Sequence, residues 1–546
     1  MSLGRRRSIE RRSLLEGVPP SYHSTDDVSL APSPVQGSPP GPARVLSRAD
    51  LYWMLAGLWA GVLLGAFDGT VVATLLTTIG SEFNASDRAS YIGTSYLLSV
   101  CCFTPLYGRL SDILGRKGAM LLALSLFATG TILCGAAPSM SSLIVARTIA
   151  GMGGGGVMTV SSIAVSDVIP LPRRGIYQGV ANVLYGIGAA AGGPLGGWIN
   201  DNYGWRLAFW MQTPFFLFSM IIVATKVNIE LPQEIRMESM ATKIRRIDYL
   251  GSLTLVGAVA CLLLGVSLKT TEELPWTSPT IVALLFASAT SAVAFVLVEK
   301  YWAPFPVMPM RLIAQRTPLV ISLANLLASV SAFSMLYNAP LYFMAVRLES
   351  SALSGLYMLP HSIAIPTGSL LAGWLMRRTG KLYTLTLISG LSALTASLLA
   401  SCWTENTSSW RLWIDLVPSG FGMASFITTT LIAMIANVPK EDMAIATGIT
   451  YLFRTTGQVL GVSLSGAILQ DVLLHKLRER IQGPDAAERI YAIRHNAAMI
   501  PDLDPLTRQA AVASYADALR VVFICQSAIS VLAFMSSIPI QANELS

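Results

Sequence analysis

Gly108-Arg109-Leu110-Ser111-Asp112-Ile113-Leu114-Gly115-Arg116-Lys117 separates two apolar runs, 90–107 and 118–137, each about as long as a ~30 Å hydrocarbon core requires. Two glycines permit a tight turn, and an acid with three cations stands at what is then a membrane boundary. Isolated cations there would report topology alone, because Lys and Arg collect in cytosolic loops. The spacing of glycine, acid and base adds a second meaning: charge pairs that lock one conformation and release in another.

The rest of the chain fits a membrane. Of its 546 residues, 53% are hydrophobic and 13% charged, with a mean hydropathy of +0.57. Soluble domains carry about 25% charged residues, so this chain lacks the polar surface to stay in water. Fourteen apolar spans are expected in a six, two, six layout. The first six are 52–74, 90–107, 118–137, 142–165, 174–197 and 207–225, followed by 249–268 and 278–298. The last six are 318–345, 352–376, 382–401, 412–437, 444–468 and 519–538. The expected domains are a disordered cytosolic tail (1–50), a six-helix bundle (51–226), a linker with two extra helices (227–317) and a second six-helix bundle (318–546). The tail is rich in Ser, Pro and Arg and has no apolar h-region. No cleaved signal is therefore expected, and the first span inserts the chain.

Short-loop cations set the orientation. Arg109, Arg116, Lys117, Arg173, Arg174, Arg236, Arg245, Arg377, Arg378 and Lys440 share one side, against Arg88, Arg206, Lys269, Arg347 and Arg411 on the other. The first side, with both termini, reads as cytosolic. Loop 469–518 conflicts, because it must be lumenal yet holds Lys476, Arg480, Arg489 and Arg494. The net charge of +7 follows from this topology rather than from a phosphate-binding stripe, so no nucleic-acid partner is expected. Six cysteines without CxxC spacing and four histidines leave no metal site. The Gly151–Gly156 run lacks a following Gly-Lys-Ser/Thr and is no phosphate loop. No cluster of nucleophile, base and orienting acid suggests an enzyme.

The Gly108–Lys117 segment resembles motif A of the major facilitator superfamily, GxLaDrxGrK. Arg147, Gly151 and Gly153 resemble its motif B, RxxxGxG; an arginine amid Ile, Val and Ala must face a wet cavity or a partner acid. Gly188, Gly192, Gly193, Pro194, Gly196 and Gly197 resemble motif C of the family's antiporters, with the proline one residue late. Small residues at this spacing let helices approach, and proline lets one bend. Phe67-Asp68-Gly69-Thr70-Val71-Val72-Ala73-Thr74-Leu75-Leu76-Thr77-Thr78-Ile79 resembles the LDxTIVxxALPxI signature of the fourteen-span drug:proton antiporters, with Phe67 for Leu and Thr77 for Pro. Asp68 is the one acid well inside a span of the first half; an intramembrane carboxylate is a group that a proton gradient can switch. Arg454 is the matching cation of the second half, while His361 reads as a packing residue.

The resemblance implies an all-α polytopic protein of the major facilitator fold. It implies alternating access, with two bundles rocking about a midplane cavity and spans 7 and 8 as a peripheral insert. Asp68, Arg147 and Arg454 are the expected proton- and substrate-coupling residues. Within the group, Gln212, Ser166–Gly175 and Gly466–Gln470 resemble fungal vacuolar basic amino-acid transporters. Proton antiport of basic amino acids into the vacuole is therefore expected, without a cofactor and as a monomer in the bilayer. The alternatives are a plasma-membrane exporter of drugs, toxins or metabolites, and a nutrient sensor that moves nothing. Glu10, Leu14 and Leu15 fit the acidic dileucine form that a sorting adaptor reads. Asn84 and Asn406 stand in glycosylation sequons on the non-cytosolic side.

Overall fold

The computed structural model describes residues 47–85, 88–227, 229, 239, 242–243, 246–272, 274–483 and 485–540. Glu10, Leu14 and Leu15, with Arg236 and Arg245, lie outside them. The described chain is helical throughout. Its first part holds α1 (Arg48–Glu82), α2 (Ser90–Ala136), α3 (Met140–Val168), α4 (Leu171–Tyr203), α5 (Trp205–Trp210) and α6 (Thr213–Lys226). A hairpin follows, α7 (Tyr249–Thr271) and α8 (Pro279–Tyr301), and then the short α9 (Met310–Ile313). The last part holds α10 (Arg316–Ala345), α11 (Ser351–Tyr357), α12 (Leu359–Thr379), α13 (Leu382–Ser401), α14 (Ser409–Ile414) and α15 (Val417–Ala436). It closes with α16 (Met443–Arg480), α17 (Ala486–His495) and α18 (Pro505–Ser537).

Among the described residues, eleven helices are long and apolar enough to cross a membrane. The expectation of fourteen spans counts α2 twice and adds α4 and α12, which are not among those eleven. α2 has 47 residues, roughly 70 Å at 1.5 Å per residue and twice a membrane's core. It breaks at Gly115, whose φ of 81° and ψ of 160° suit a residue without Cβ. The turn expected inside the Gly108–Lys117 segment therefore forms at its second glycine.

Backbones meet where glycine removes the side chain. Gly153 of α3 lies on the backbone of Phe127 in α2, and Gly130 of α2 on that of Ala150 in α3. On α4, Gly188, Gly192 and Gly196 face α1, against Leu63 O, Thr70 and the Val71 Cα. Gly193 touches only the Thr74 methyl, and Gly197 meets nothing within 4 Å. Three of the five motif C glycines thus form a stripe of period four on α1. Pro194 sits inside α4.

The two parts of the chain touch at the end that carries the Gly108–Lys117 segment. Gly108 of α2 abuts the Ala444 carbonyl of α16, Gly448 of α16 returns to Gly108, and Gly175 of α4 meets Gly373 of α12. α7 is less peripheral than expected. Its Leu255, Val259 and Leu263 pack in one core with Cys101 and Cys102 of α2 and Ile445, Ile449 and Leu452 of α16. The segment 469–518 is also more ordered than a loop. α16 continues to Arg480, and Ile490, Ile493 and Ile500 bury against Leu477 and Tyr515. Its cations find local partners: Lys476 with Glu479 at 3.0 Å, Arg480 with Asp517 at 2.5 Å, and Arg494, which donates to Gln470 at 3.0 Å. Among the cysteines, Cys101, Cys102 and Cys134 are buried and Cys402 is exposed.

Overpacking a helix seam costs about 1–3 kcal/mol. Gly192→Ala is therefore expected to lower the thermal unfolding midpoint of the detergent-purified chain by several degrees, while Gly197→Ala leaves it unchanged. Equal midpoints for the two variants would show that the α1–α4 contact carries no such load.

Candidate functional site

Asp68 lies in the middle of α1, and Arg147 two turns into α3; both are fully buried. Arg147 Nη1 donates to Asp68 Oδ2 at 2.7 Å. The guanidinium also stacks 4.3 Å from the ring centroid of Tyr96 on α2, and its Nε donates to the Ile92 carbonyl at 3.4 Å. The other carboxylate oxygen, Asp68 Oδ1, accepts from Gln212 Nε2 at 3.5 Å. Gln212 is itself buried between α5 and α6, donates to the Ala208 carbonyl at 3.1 Å and leaves its Oε1 without a partner among the described residues. Three helices and the α5–α6 corner thus meet at one ion pair. The geometry depends on Gly151, which lets α3 press against the Tyr96 carbonyl.

The structure brings two of the three expected coupling residues together and leaves the third apart. Arg454 lies on α16, half-buried, its guanidinium 4.5 Å from the ring centroid of Tyr451 and its Nε without a hydrogen-bond partner among the described residues. Tyr185 of α4 is within electrostatic reach of Arg454, and Tyr337 of α10 of Tyr185. Both rings are well exposed, at 44% and 55%. Arg454 is thus half-buried against Tyr451 with Tyr185 in its surroundings, whereas Asp68 is committed to Arg147. His361 accepts the expected packing role, buried with Nδ1 at 3.1 Å from the Leu416 carbonyl.

The Gly108–Lys117 segment builds a clamp. Arg116 is held by Asp112 through Nη1 and by Asp167 at the end of α3 through Nε, both at 2.6 Å. Its Nη1 also donates to the Ser111 carbonyl at 2.9 Å. Arg109 stacks 5.5 Å from the ring centroid of Phe305 in the α8–α9 connection, and Lys117 is half-buried. The second carboxylate, Asp167, is a partner that the segment's own spacing cannot reveal. Nearby, Arg311 pairs with Asp442 at 2.8 Å, and Asn182 of α4 donates to Ser369 of α12 at 2.8 Å. Asn84 and Asn406 are both exposed.

A bundle of apolar helices with a buried intramembrane ion pair, a half-buried second cation and a charge clamp at one end is the arrangement of a membrane transporter rather than an enzyme. The chain matches the family model of the Major Facilitator Superfamily over residues 58–462 and belongs to that family. It is 37% identical to the multidrug resistance protein fnx1 of Schizosaccharomyces pombe, over 89% of this chain and 92% of that one. It is 34% identical to the vacuolar membrane amino acid uptake transporter fnx2 of the same yeast, over 92% and 86%. With the vacuolar basic amino acid transporter 1 of Saccharomyces cerevisiae it shares 31% over 80% and 82%. The fold is similar to that of the human organic anion transporter MFSD10, with a TM-score of 0.59 at 16% identity, covering 89% of this chain and 99% of that one. The protein is a multi-pass membrane transporter, with a small-molecule substrate and the bilayer as its partners.

Asp167 shares Arg116 with Asp112 in a partly exposed site, where losing one carboxylate costs about 1–2 kcal/mol, below the 3–5 of a buried pair. Asp167→Asn is expected to lower the thermal midpoint about as much as Asp112→Asn, and the Arg116→Asp/Asp167→Arg double exchange to recover part of the loss. An unchanged midpoint in Asp167→Asn would remove Asp167 from the clamp.

Proposed function

We propose that this protein is a proton-coupled antiporter that moves basic amino acids into the vacuole by alternating access. The observation that carries this reading is the buried Asp68–Arg147 pair at 2.7 Å. A proton on Asp68 removes the counter-charge of a buried guanidinium. Breaking such a pair costs about 3–5 kcal/mol, close to the ~5.5 kcal/mol that takes a two-state equilibrium from 1:99 to 99:1. The pair joins α1 to α3 and touches α2 through Tyr96, so its protonation is felt across the first bundle.

In this reading the clamp end faces the cytosol, with both termini, and the structure is the cytosol-closed state. Protons from an acidic lumen bind Asp68 while the site faces inward to the vacuole. The first bundle then rocks against the second, Arg116 leaves its carboxylates, and the proton exits to the cytosol as substrate enters. Arg454 is the cation that receives the substrate's carboxylate. Asp68 acts on the proton alone, a narrower role than binding proton and ammonium together. The names of the fnx2 and vacuolar basic amino acid transporter relatives support the substrate class and the vacuolar membrane. An adaptor that reads Glu10, Leu14 and Leu15 would deliver a monomer there.

A second reading, export of drugs or metabolites, is favoured by the similarity to fnx1 and to the efflux pump dotC of Dothistroma septosporum. ATP-driven uptake of labelled lysine, arginine and histidine into vacuolar vesicles, with and without the protein and a pump inhibitor, separates the two. Pump-sensitive uptake that requires the protein is expected. Asp68→Asn, which keeps the shape of the side chain, is expected to abolish that uptake while protein abundance holds. Normal uptake by this variant would sink the coupling role, and no uptake by the wild type in vesicles containing it would favour export.

A further inference from the structure

A cleft of about 340 Å³ lies between α1, α3 and α4 of the first bundle and α16 of the second, lined by Trp59, Tyr177, Tyr451, Ser161, Ser162 and Gln178 among others. We infer that this cleft is the side-chain subsite of the transporter, and that it takes the cationic end of a basic amino acid whose carboxylate rests on Arg454. The inference deepens the amino-acid reading above and rests on it.

Four observations converge. The cleft is small and partly open to solvent, and so suits the end of one amino-acid side chain better than a drug-sized molecule. Trp59 and Tyr177 stand with ring centroids 6.3 Å apart and their planes tilted by 39°, an open wedge whose faces attract a guanidinium or ammonium. None of the lining side chains is charged, so the aromatic faces have no carboxylate to compete with. The polar lining is set to accept hydrogen bonds. Asn182 donates to Ser369, Gln178 Nε2 donates to Asn182 Oδ1 at 3.3 Å, and the Gln178 carbonyl oxygen is the remaining acceptor. Ser162 Oγ is buried with no hydrogen-bond partner among the described residues, whereas its neighbour Ser161 donates to the Leu58 carbonyl at 3.3 Å. A buried hydroxyl left unmatched is costly, and an N–H donor on an occupant would satisfy it. A purely apolar occupant would leave it as it is.

Tyr451 joins the two subsites. It lines the cleft, and its ring also carries the Arg454 guanidinium 4.5 Å from its centroid. A zwitterion with a long cationic arm therefore spans Tyr451, carboxylate on one side and cation on the other. Because Tyr451 and Ser369 belong to the second part of the chain and Trp59, Ser162 and Gln178 to the first, the cleft is complete only while these parts are together. Separation at the clamp end takes away the Tyr451 wall and the Ser369 anchor, so the cleft is open to an entering solute while the parts are separated and closes around it when they come together.

The test is binding of labelled arginine and of citrulline, its uncharged isostere, to the full-length protein in detergent, with gradient-driven uptake measured in parallel in proteoliposomes. Wild type is expected to bind arginine more tightly than citrulline. Trp59→Ala is expected to weaken arginine about tenfold and to erase the preference, and Trp59→Phe to keep it within about threefold. Ser162→Ala removes a group that has no partner, so its thermal midpoint is expected to hold while arginine binding falls about threefold. Unchanged arginine binding in both Trp59→Ala and Ser162→Ala, an equal loss for both ligands in Trp59→Ala, or no wild-type preference would each overturn the subsite. Trp59-dependent binding without any gradient-driven uptake would overturn the antiport reading and keep the subsite.

Discussion

A guanidinium and a carboxylate buried beyond the reach of solvent depend on each other, and the first half of this molecule is arranged around one such pair. Arg147 and Asp68 are 1% and 0% exposed. Either alone would be an uncompensated charge in a medium where desolvation outweighs every other local term. Their neighbours complete the site: the Tyr96 face beneath Arg147, the Ile92 carbonyl at its Nε, and Gln212 at the second oxygen of Asp68. The close approach of α3 to α2 that this requires is built from glycine, at Gly130, Gly151 and Gly153. Small residues and a buried charge pair are here one design, since the pair forms only if the backbones come near enough.

The same logic at lower stakes runs through the clamp end. Arg116 with its two carboxylates is partly exposed to water, unlike the buried pair, so each contact is weaker and easier to exchange. It is joined by contacts that need no charge: Gly108 on Ala444, Gly175 on Gly373, and Asn182 on Ser369. A closure built from many modest contacts suits a transporter, which must open and close repeatedly on the scale of a few kcal/mol.

The hairpin α7–α8 has a part in this that its position in the chain conceals. Packing of α7 on both α2 and α16 places it along the seam between the two parts of the molecule. Phe305, in the connection that follows α8, lies beneath both Arg109 at 5.5 Å and Arg246 at 5.1 Å. Glu299 of α8 accepts from the Val307 and Met308 amides at 2.9 and 3.2 Å and so fixes that connection. Any relative motion of the two parts must slide past or carry this hairpin.

Much of the fold was legible in the sequence, because a bilayer imposes length and apolarity on every crossing segment and those are properties of the chain read one stretch at a time. The apolar spans, though not their ends, the turn within Gly108–Lys117 and the family follow from such local patterns. Asp68, Arg147 and Arg454 stood out for a similar reason, being charges where lipid forbids them. What local pattern cannot contain is distance between segments. That Asp68 takes Arg147 and leaves Arg454 apart, that Arg116 finds Asp167 from the far end of α3, and that Gln212 sits on Asp68 were decided by how the helices pack. So was the cleft at Trp59, whose walls come from residues as far apart as 59 and 451. Sequence determined which charges must be satisfied within the membrane; tertiary packing decided by whom, because the energy of an ion pair depends on a separation of a few ångströms that no spacing along the chain specifies.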